Sequence, residues 1–252
     1  MIHEDDWDHH WHEYAGAIAR NPAQEFRRRL ILRLLAAGGT PSRVLDVGSG
    51  SGDFAIALRA AFPETKLLGL ELSSTGVEQS RRKVPDADFV QCDLIAGDPA
   101  PGDYFGWATH AVCSEVLEHV DDPKLLLRNA RAYLAPGSRL VVTVPGGPMT
   151  AFDRHIGHRR HFRADDLAQV LRNSGFEAVR VTGAGFPSFN LYRLFLLTLG
   201  RGLIDHAGSA TPSAAARAAT SAFDLLLRHN TRLSRYGWQT VGTARLPYAA
   251  RP

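Results

Sequence analysis

Residues Val44 to Val47 form a short run of apolar side chains interrupted by Asp46. Gly48, Gly50 and Gly52 follow at alternate positions, and Phe54-Ala55-Ile56-Ala57-Leu58 then opens a helical pattern. This order dictates a buried strand, a tight turn and a helix N-terminus. Glycines let such a turn approach a ligand closely, and the unpaired N–H groups of the first helical turn point at it. The spacing restricts the ligand. A dinucleotide fingerprint needs G-x-G-x-x-G, but the third position falls on Asp53 counting from Gly48 and on Ala55 counting from Gly50. A phosphate-binding P-loop needs a lysine after its glycines, and none stands near this turn. Both observations argue against a dehydrogenase or a nucleotide hydrolase.

Further strands end in acids. Lys66-Leu67-Leu68-Gly69-Leu70-Glu71-Leu72 reads as a second strand, with Glu71 nineteen residues beyond Gly52. A carboxylate there suits the two hydroxyls of an adenosine ribose. Ala87 to Cys92 reads as a third strand ending at Asp93-Leu94, and His110 to Ser114 as a fourth leading into Glu115-Val116-Leu117-Glu118-His119-Val120. Asp122-Pro123 has the form of an N-cap and first helical turn, and Leu134-Ala135-Pro136-Gly137 precedes a fifth strand ending at Pro145. Together Asp46-x-Gly48-x-Gly50-x-Gly52, Glu71, Asp93 and the later motifs resemble the class I S-adenosylmethionine-dependent methyltransferases over about residues 40–183. The resemblance implies an α/β, Rossmann-like seven-stranded sheet with helices on both faces and an antiparallel last strand, Gln239–Leu246. It also implies S-adenosylmethionine as cofactor. The implied cofactor-binding positions are Asp46, Gly48, Ser49, Gly50, Gly52, Glu71, Leu72, Asp93, Leu94 and Ser114, with Asp93 meeting the adenine amino group and Leu94 packing on the ring.

Within 252 residues, the expected organisation is an N-terminal lid (1–21), a cofactor-binding core (22–184), a helical insertion (185–237) and a final strand with the C-terminus (238–252). Phe26, Leu30 and Leu34 recur on one face of a helix that begins at Pro22 and stops at Gly38-Gly39. A second helix, Asp165–Ser174, precedes a sixth strand, Phe176–Thr182. The insertion carries an apolar run, Leu191–Leu199, and a helix around Ala214–Arg228. It reads as an added helical layer with its own small core that also walls the pocket. A dimer surface or a membrane-surface contact are the alternatives. In the lid, Trp7, Trp11, Tyr14 and Ile18 share one helical face, and Tyr14 is the member whose hydroxyl can reach the cofactor. His3, His9, His10 and His12 lack regular metal-ligand spacing.

No run reaches the ~18 apolar residues of a membrane span, and the acidic, histidine-containing N-terminus lacks the basic and then apolar pattern of a signal peptide. Cys92 and Cys113 both fall in core strands and read as buried hydrophobes in a reducing compartment, which makes the expected location cytoplasmic. A net charge of +3 does not argue for a nucleic-acid partner. Homodimerisation stays open.

Methyl transfer is an in-line displacement, so the protein chiefly positions the acceptor and excludes water. A base is needed only where the acceptor must lose a proton. Two clusters qualify. On a helical turn Glu115, Glu118 and His119 can converge on one cation, magnesium or a transition metal. The same E-x-x-E-H pattern occurs in ubiquinone-biosynthesis O-methyltransferases and small-RNA 2′-O-methyltransferases, which implies a metal there. His119 acting without metal is the alternative. The second cluster runs from Phe152 to Phe162 and resembles a segment of a bacterial methyltransferase subgroup. His158 is its first candidate for an active-site role and His155 its second. These features lead to transfer of a methyl group to a small-molecule hydroxyl. RNA 2′-hydroxyl methylation and a catalytically silent cofactor-binding protein are the competing readings.

Overall fold

The computed structural model describes residues 7–8, 11, 21–97, 102–199, 214–228 and 230–248. Seven strands form one sheet: β1 (Arg43–Val47), β2 (Lys66–Glu71), β3 (Asp88–Gln91), β4 (Ala108–Ser114), β5 (Leu134–Pro145), β6 (Glu177–Ala184) and β7 (Gln239–Arg245). Their spatial order is β3-β2-β1-β4-β5-β7-β6. β7 runs antiparallel to both β5 and β6, and the pairings among β1 to β5 are parallel. The chain leaves β1 in one direction for β2 and returns on its other side at β4, so the crevice for a ligand opens between these strands at their carboxyl ends.

Strand alternation builds the layers. Leu45 and Val47 of β1 face one side with Leu127, Leu167 and Leu171, from α4 (Pro123–Ala130) and α6 (Ala164–Asn173). Val44 faces the other side with Ile31, Leu35, Ala55, Leu58 and Val77, from α1 (Pro22–Ala36), α2 (Asp53–Ala61) and α3 (Ser74–Lys83). α5 is a short turn of helix, Ala151–His155. The caps follow the sequence: Asn21 accepts from the Ala23 N–H at 2.9 Å ahead of Pro22, and Asp122 accepts from the Lys124 and Leu125 N–H groups ahead of Pro123. The sixth strand continues two residues past its expected end, to Ala184, because β7 pairs with it as far as Gln239.

The segment before β7 is bound to the domain. α7 (Ser188–Leu199) and α8 (Ala214–Arg228) follow β6. Phe189 and Tyr192 of α7 and Leu227 of α8 form a third core with Phe26 and Leu30 of α1 and Val241 of β7. The Phe26 and Phe189 rings lie 5.0 Å apart, and the Tyr192 hydroxyl donates to Asn21 Oδ1 at 3.0 Å. No helix among the described residues is long and apolar enough to cross a membrane. Phe189 is fully buried, so Phe189→Ala is expected to cost about 3–5 kcal/mol, read as a lower Tm with unchanged far-ultraviolet circular dichroism.

Candidate active site

The glycine turn after β1 is built of left-handed backbone. Gly48, Gly50 and Gly52 have φ of 71°, 55° and 81°. A Cβ on Gly48 would stand 2.5 Å from Val116 Cγ2, so the turn and the loop after β4 lie against each other. Glu71, at the end of β2, is buried and accepts from the Gly50 N–H at 2.7 Å and from the Ser73 N–H at 3.1 Å. Burial pushes the Glu71 carboxyl up, while the N–H groups of Ser73 and Gly50 and the Trp11 side chain oppose the rise. Asp46 lies beneath, fully buried. Loss of water and then the charge of Glu71 push it up to about 7.

The other expected cofactor residues are distributed around this turn. Ser49 is buried, and its hydroxyl has no hydrogen-bond partner among the described residues. Leu72 is exposed beyond β2. Asp93 Oδ1 accepts from the Ile95 and Ala96 N–H groups and so shapes its own loop. Leu94 points into the main core, which differs from a side chain lying open against an adenine. The Ser114 hydroxyl bonds to Thr143 Oγ1 at 2.8 Å. Tyr14, Ile18 and the histidines His3, His9, His10 and His12 lie outside the described residues. Among the described N-terminal residues, Trp7, Asp8 and Trp11 reach the site. Asp8 Oδ1 accepts from the Thr75 N–H at 3.0 Å and from the Ser73 hydroxyl, at the start of α3. The Trp11 ring covers Gly50 and Gly76, and Trp7 meets the His119 ring edge-on at 4.8 Å.

The loop after β4 separates the expected metal ligands. Glu115 holds a left-handed conformation with φ of 57°, unusual for a residue with a side chain. Its carboxylate pairs with Arg27 of α1 at 2.9 Å and accepts from Gln239 Nε2 at 2.9 Å. Arg27 in turn donates to Gln239 Oε1 at 2.7 Å. Glu115 is therefore committed to this triangle, and the set Glu115, Glu118 and His119 does not assemble. Glu118 instead faces His119 and His158, with one donor atom of each within 4.8 Å of the others. It is fully buried, and neither carboxylate oxygen has a hydrogen-bond partner among the described residues. Burial and then the neighbouring Glu115 push its carboxyl well above the usual range. One buried carboxylate and two imidazoles fit a divalent cation, a transition metal better than magnesium, which would supply Lewis-acid chemistry at this point.

Behind His158 lies Asp153, a member of the second cluster. Asp153 is buried and receives Arg193 of α7 through both terminal nitrogens, at 3.1 and 2.7 Å. Burial alone would raise its carboxyl. The Arg193 hydrogen bonds and charge, with the Thr150 N–H, reverse this and hold it down at about 2. His158 Nδ1 lies 3.3 Å from His161 Nε2, and His161 Nδ1 lies 3.1 Å from the Gly147 carbonyl oxygen. Burial, followed by His119, lowers His158 to about 3 against the opposing pull of Asp153. Asp153, His158 and His161 are a second convergent set, but the guanidinium on Asp153 opposes a cation there. His155 is exposed at the end of α5, apart from the cluster. Arg193 stands 40 positions from Asp153, and no local pattern announces the pair.

Asp46 gives a stability test. Its folded value of about 7 exceeds its ordinary value, so between about pH 4 and 7 the folded state holds a proton that the unfolded state has lost. Stability falls as pH rises through that window, and the penalty is complete above it. Asp46→Asn is expected to raise Tm at pH 8 and change it little at pH 4, measured on cofactor-free protein.

Comparison with known proteins agrees with this arrangement. A family model described as a methyltransferase domain matches residues 12–181. Trans-aconitate 2-methyltransferase of Methylobacterium nodulans is 33% identical over 140 residues, covering 56% of this chain and 50% of that protein. O-methyltransferase cnsE of Penicillium expansum is 30% identical over 187 residues, covering 69% of this chain and 66% of that protein. The chain spans about half the length of the trans-aconitate methyltransferases it matches. Among solved structures, Haemonchus contortus phosphoethanolamine N-methyltransferase 2 in complex with S-adenosyl-L-methionine superimposes with a TM-score of 0.58 at 18% identity, covering 88% of this chain and 52% of that one. The glycine turn, the acid after β2 and the antiparallel seventh strand belong together with these matches: the chain is a member of the class I S-adenosylmethionine-dependent methyltransferases.

Proposed function

We propose that this chain transfers the methyl group of S-adenosylmethionine to an oxygen of a small acidic molecule. The observation that carries the reading is the half-buried cluster His119, His158 and His161 beside the loop that packs on the glycine turn. S-adenosylmethionine supplies a methyl on a positively charged sulfur. The acceptor oxygen's electron pair forms the new O–C bond, and the C–S pair returns to sulfur, which becomes neutral. The acceptor's proton goes to His158. Glu71 supports the ribose from below, and Trp7 and Trp11 shield the site from water.

The chemistry of His158 narrows the acceptor. A histidine lowered to about 3 is neutral at physiological pH and carries a lone pair, but it is a weak base. It serves an enol or a phenol, whose proton it takes; a carboxylic acid arrives already ionised and needs no base. The O-methyltransferase relative supports oxygen as the acceptor atom, and the trans-aconitate 2-methyltransferase relative supports an acidic acceptor. A second reading has one specific observation behind it, the Glu118 carboxylate, which has no hydrogen-bond partner among the described residues. There a divalent cation on Glu118, His119 and His158 would stabilise the ionised acceptor.

Incubation with labelled cofactor, followed by separate counting of small-molecule extract, RNA and protein, tests the acceptor class. Label is expected in small acids and phenols, and label confined to RNA or protein would overturn the proposal. A chelator is expected to leave turnover unchanged. Loss of turnover that manganese or zinc restores would transfer the role to the metal. Glu71→Ala is expected to weaken S-adenosylhomocysteine binding by about 2–4 kcal/mol, the worth of two charge-assisted hydrogen bonds, measured by calorimetry.

A further inference from the structure

The hydrogen bonds behind His158 determine which of its nitrogens carries the proton. Gly147 offers a carbonyl oxygen, which only accepts, so the His161 nitrogen facing it at 3.1 Å, Nδ1, must carry its hydrogen. A neutral imidazole has one N–H, and His161 Nε2 is therefore a bare acceptor. Its partner at 3.3 Å is His158 Nδ1, which must donate. Asp153 Oδ1, 3.9 Å from the same His158 nitrogen, is an acceptor as well. Both groups on that edge of the ring thus demand a proton at Nδ1, and Nε2 keeps its lone pair. The opposite tautomer would set three acceptors against one another with no hydrogen between them.

Neither partner is free to turn and relieve that conflict. Arg193 and the Thr150 N–H hold both oxygens of Asp153. His161 is held by the Gly147 carbonyl, which takes its Nδ1–H. The ring of His119 meets that of His158 edge-on at 4.8 Å, on the side of the loop that packs against the glycine turn.

We propose that His161 is a positioning residue: it fixes His158 in the Nδ1–H tautomer and leaves Nε2 as the proton acceptor for methyl transfer, with the Asp153–Arg193 pair as its brace. The proposal rests on the base reading given above. The proton taken from the acceptor lands on Nε2. The resulting imidazolium is then stabilised through its Nδ1–H by the fixed charge of Asp153. Arg193 belongs to the inserted helix α7, so this part of the chain supports the chemistry without touching either reactant.

The tautomer is observable without any acceptor. Protein labelled with ¹⁵N-histidine, at pH 8 with chelator present, is studied by long-range proton–nitrogen correlation, and His158→Gln identifies the His158 signals. The wild type is expected to show His158 as the Nδ1–H form. His161→Phe removes the acceptor and is expected to produce a detectable Nε2–H population. His161→Gln restores both hydrogen bonds, donating to Gly147 and accepting from His158, and is expected to return the ring to Nδ1–H. S-adenosylhomocysteine binding by each variant checks that it is folded. A wild-type Nε2–H tautomer, or an unchanged tautomer in folded His161→Phe, overturns the proposal. The base reading is judged separately: turnover that survives in His158→Gln refutes it, whatever the tautomer of the wild type.

Discussion

The triangle of Arg27, Glu115 and Gln239 is the contact on which the site depends. It joins the first described helix, the loop after β4 and the first residue of the last strand, three places far apart in the chain. A left-handed backbone at Glu115 stores strain that the surrounding contacts must hold. The half-buried ion pair, with Gln239 Nε2 also donating to the Val144 carbonyl, satisfies the groups that such a contact removes from water. With Glu115 anchored there, the following turn carries Glu118 and His119 toward His158. The third core, where α7 and α8 close on α1, buries the same region from outside.

Charge is managed differently in the two halves of the crevice. On the cofactor side, Glu71 stands at the start of α3 and accepts from two backbone N–H groups, an arrangement that tolerates a buried carboxylate. Asp46, lacking water and close to that charge, is pushed up to about 7. On the acceptor side, Asp153 remains ionised because Arg193 matches it, whereas Glu118 has no such partner among the described residues. A buried carboxyl without a partner is driven toward its neutral form or toward a cation, and this choice separates base-assisted from metal-assisted transfer.

The resemblance in the sequence placed metal chemistry on Glu115, Glu118 and His119, and the fold reassigns the first of them. Helical spacing correctly says that residues 115, 118 and 119 can share a face, but the left-handed turn at Glu115 breaks the helical path on which that spacing rests. Leu94 illustrates the same limit. An apolar residue after a strand can pack on a ligand or into a core, and here the core takes it. His161 was visible only as one of three histidines in a crowded loop. Its place behind His158 depends on where Gly147 leaves its carbonyl.

The features that the sequence alone determined are local. Three glycines after an apolar run must turn with left-handed backbone, acids at strand ends must gather at the carboxyl edge of a parallel sheet, and Asn21-Pro22 and Asp122-Pro123 must begin helices. Each rule acts over a few residues, so composition and spacing are sufficient. The tertiary structure decided which charges meet. Arg27 finds Glu115 and Gln239, and Arg193 finds Asp153, through helix packing and strand order, across 212 positions in the longest case. No periodicity encodes such pairs. They follow from burial, because a charged group enclosed by the fold must take whichever partner the packing brings within reach.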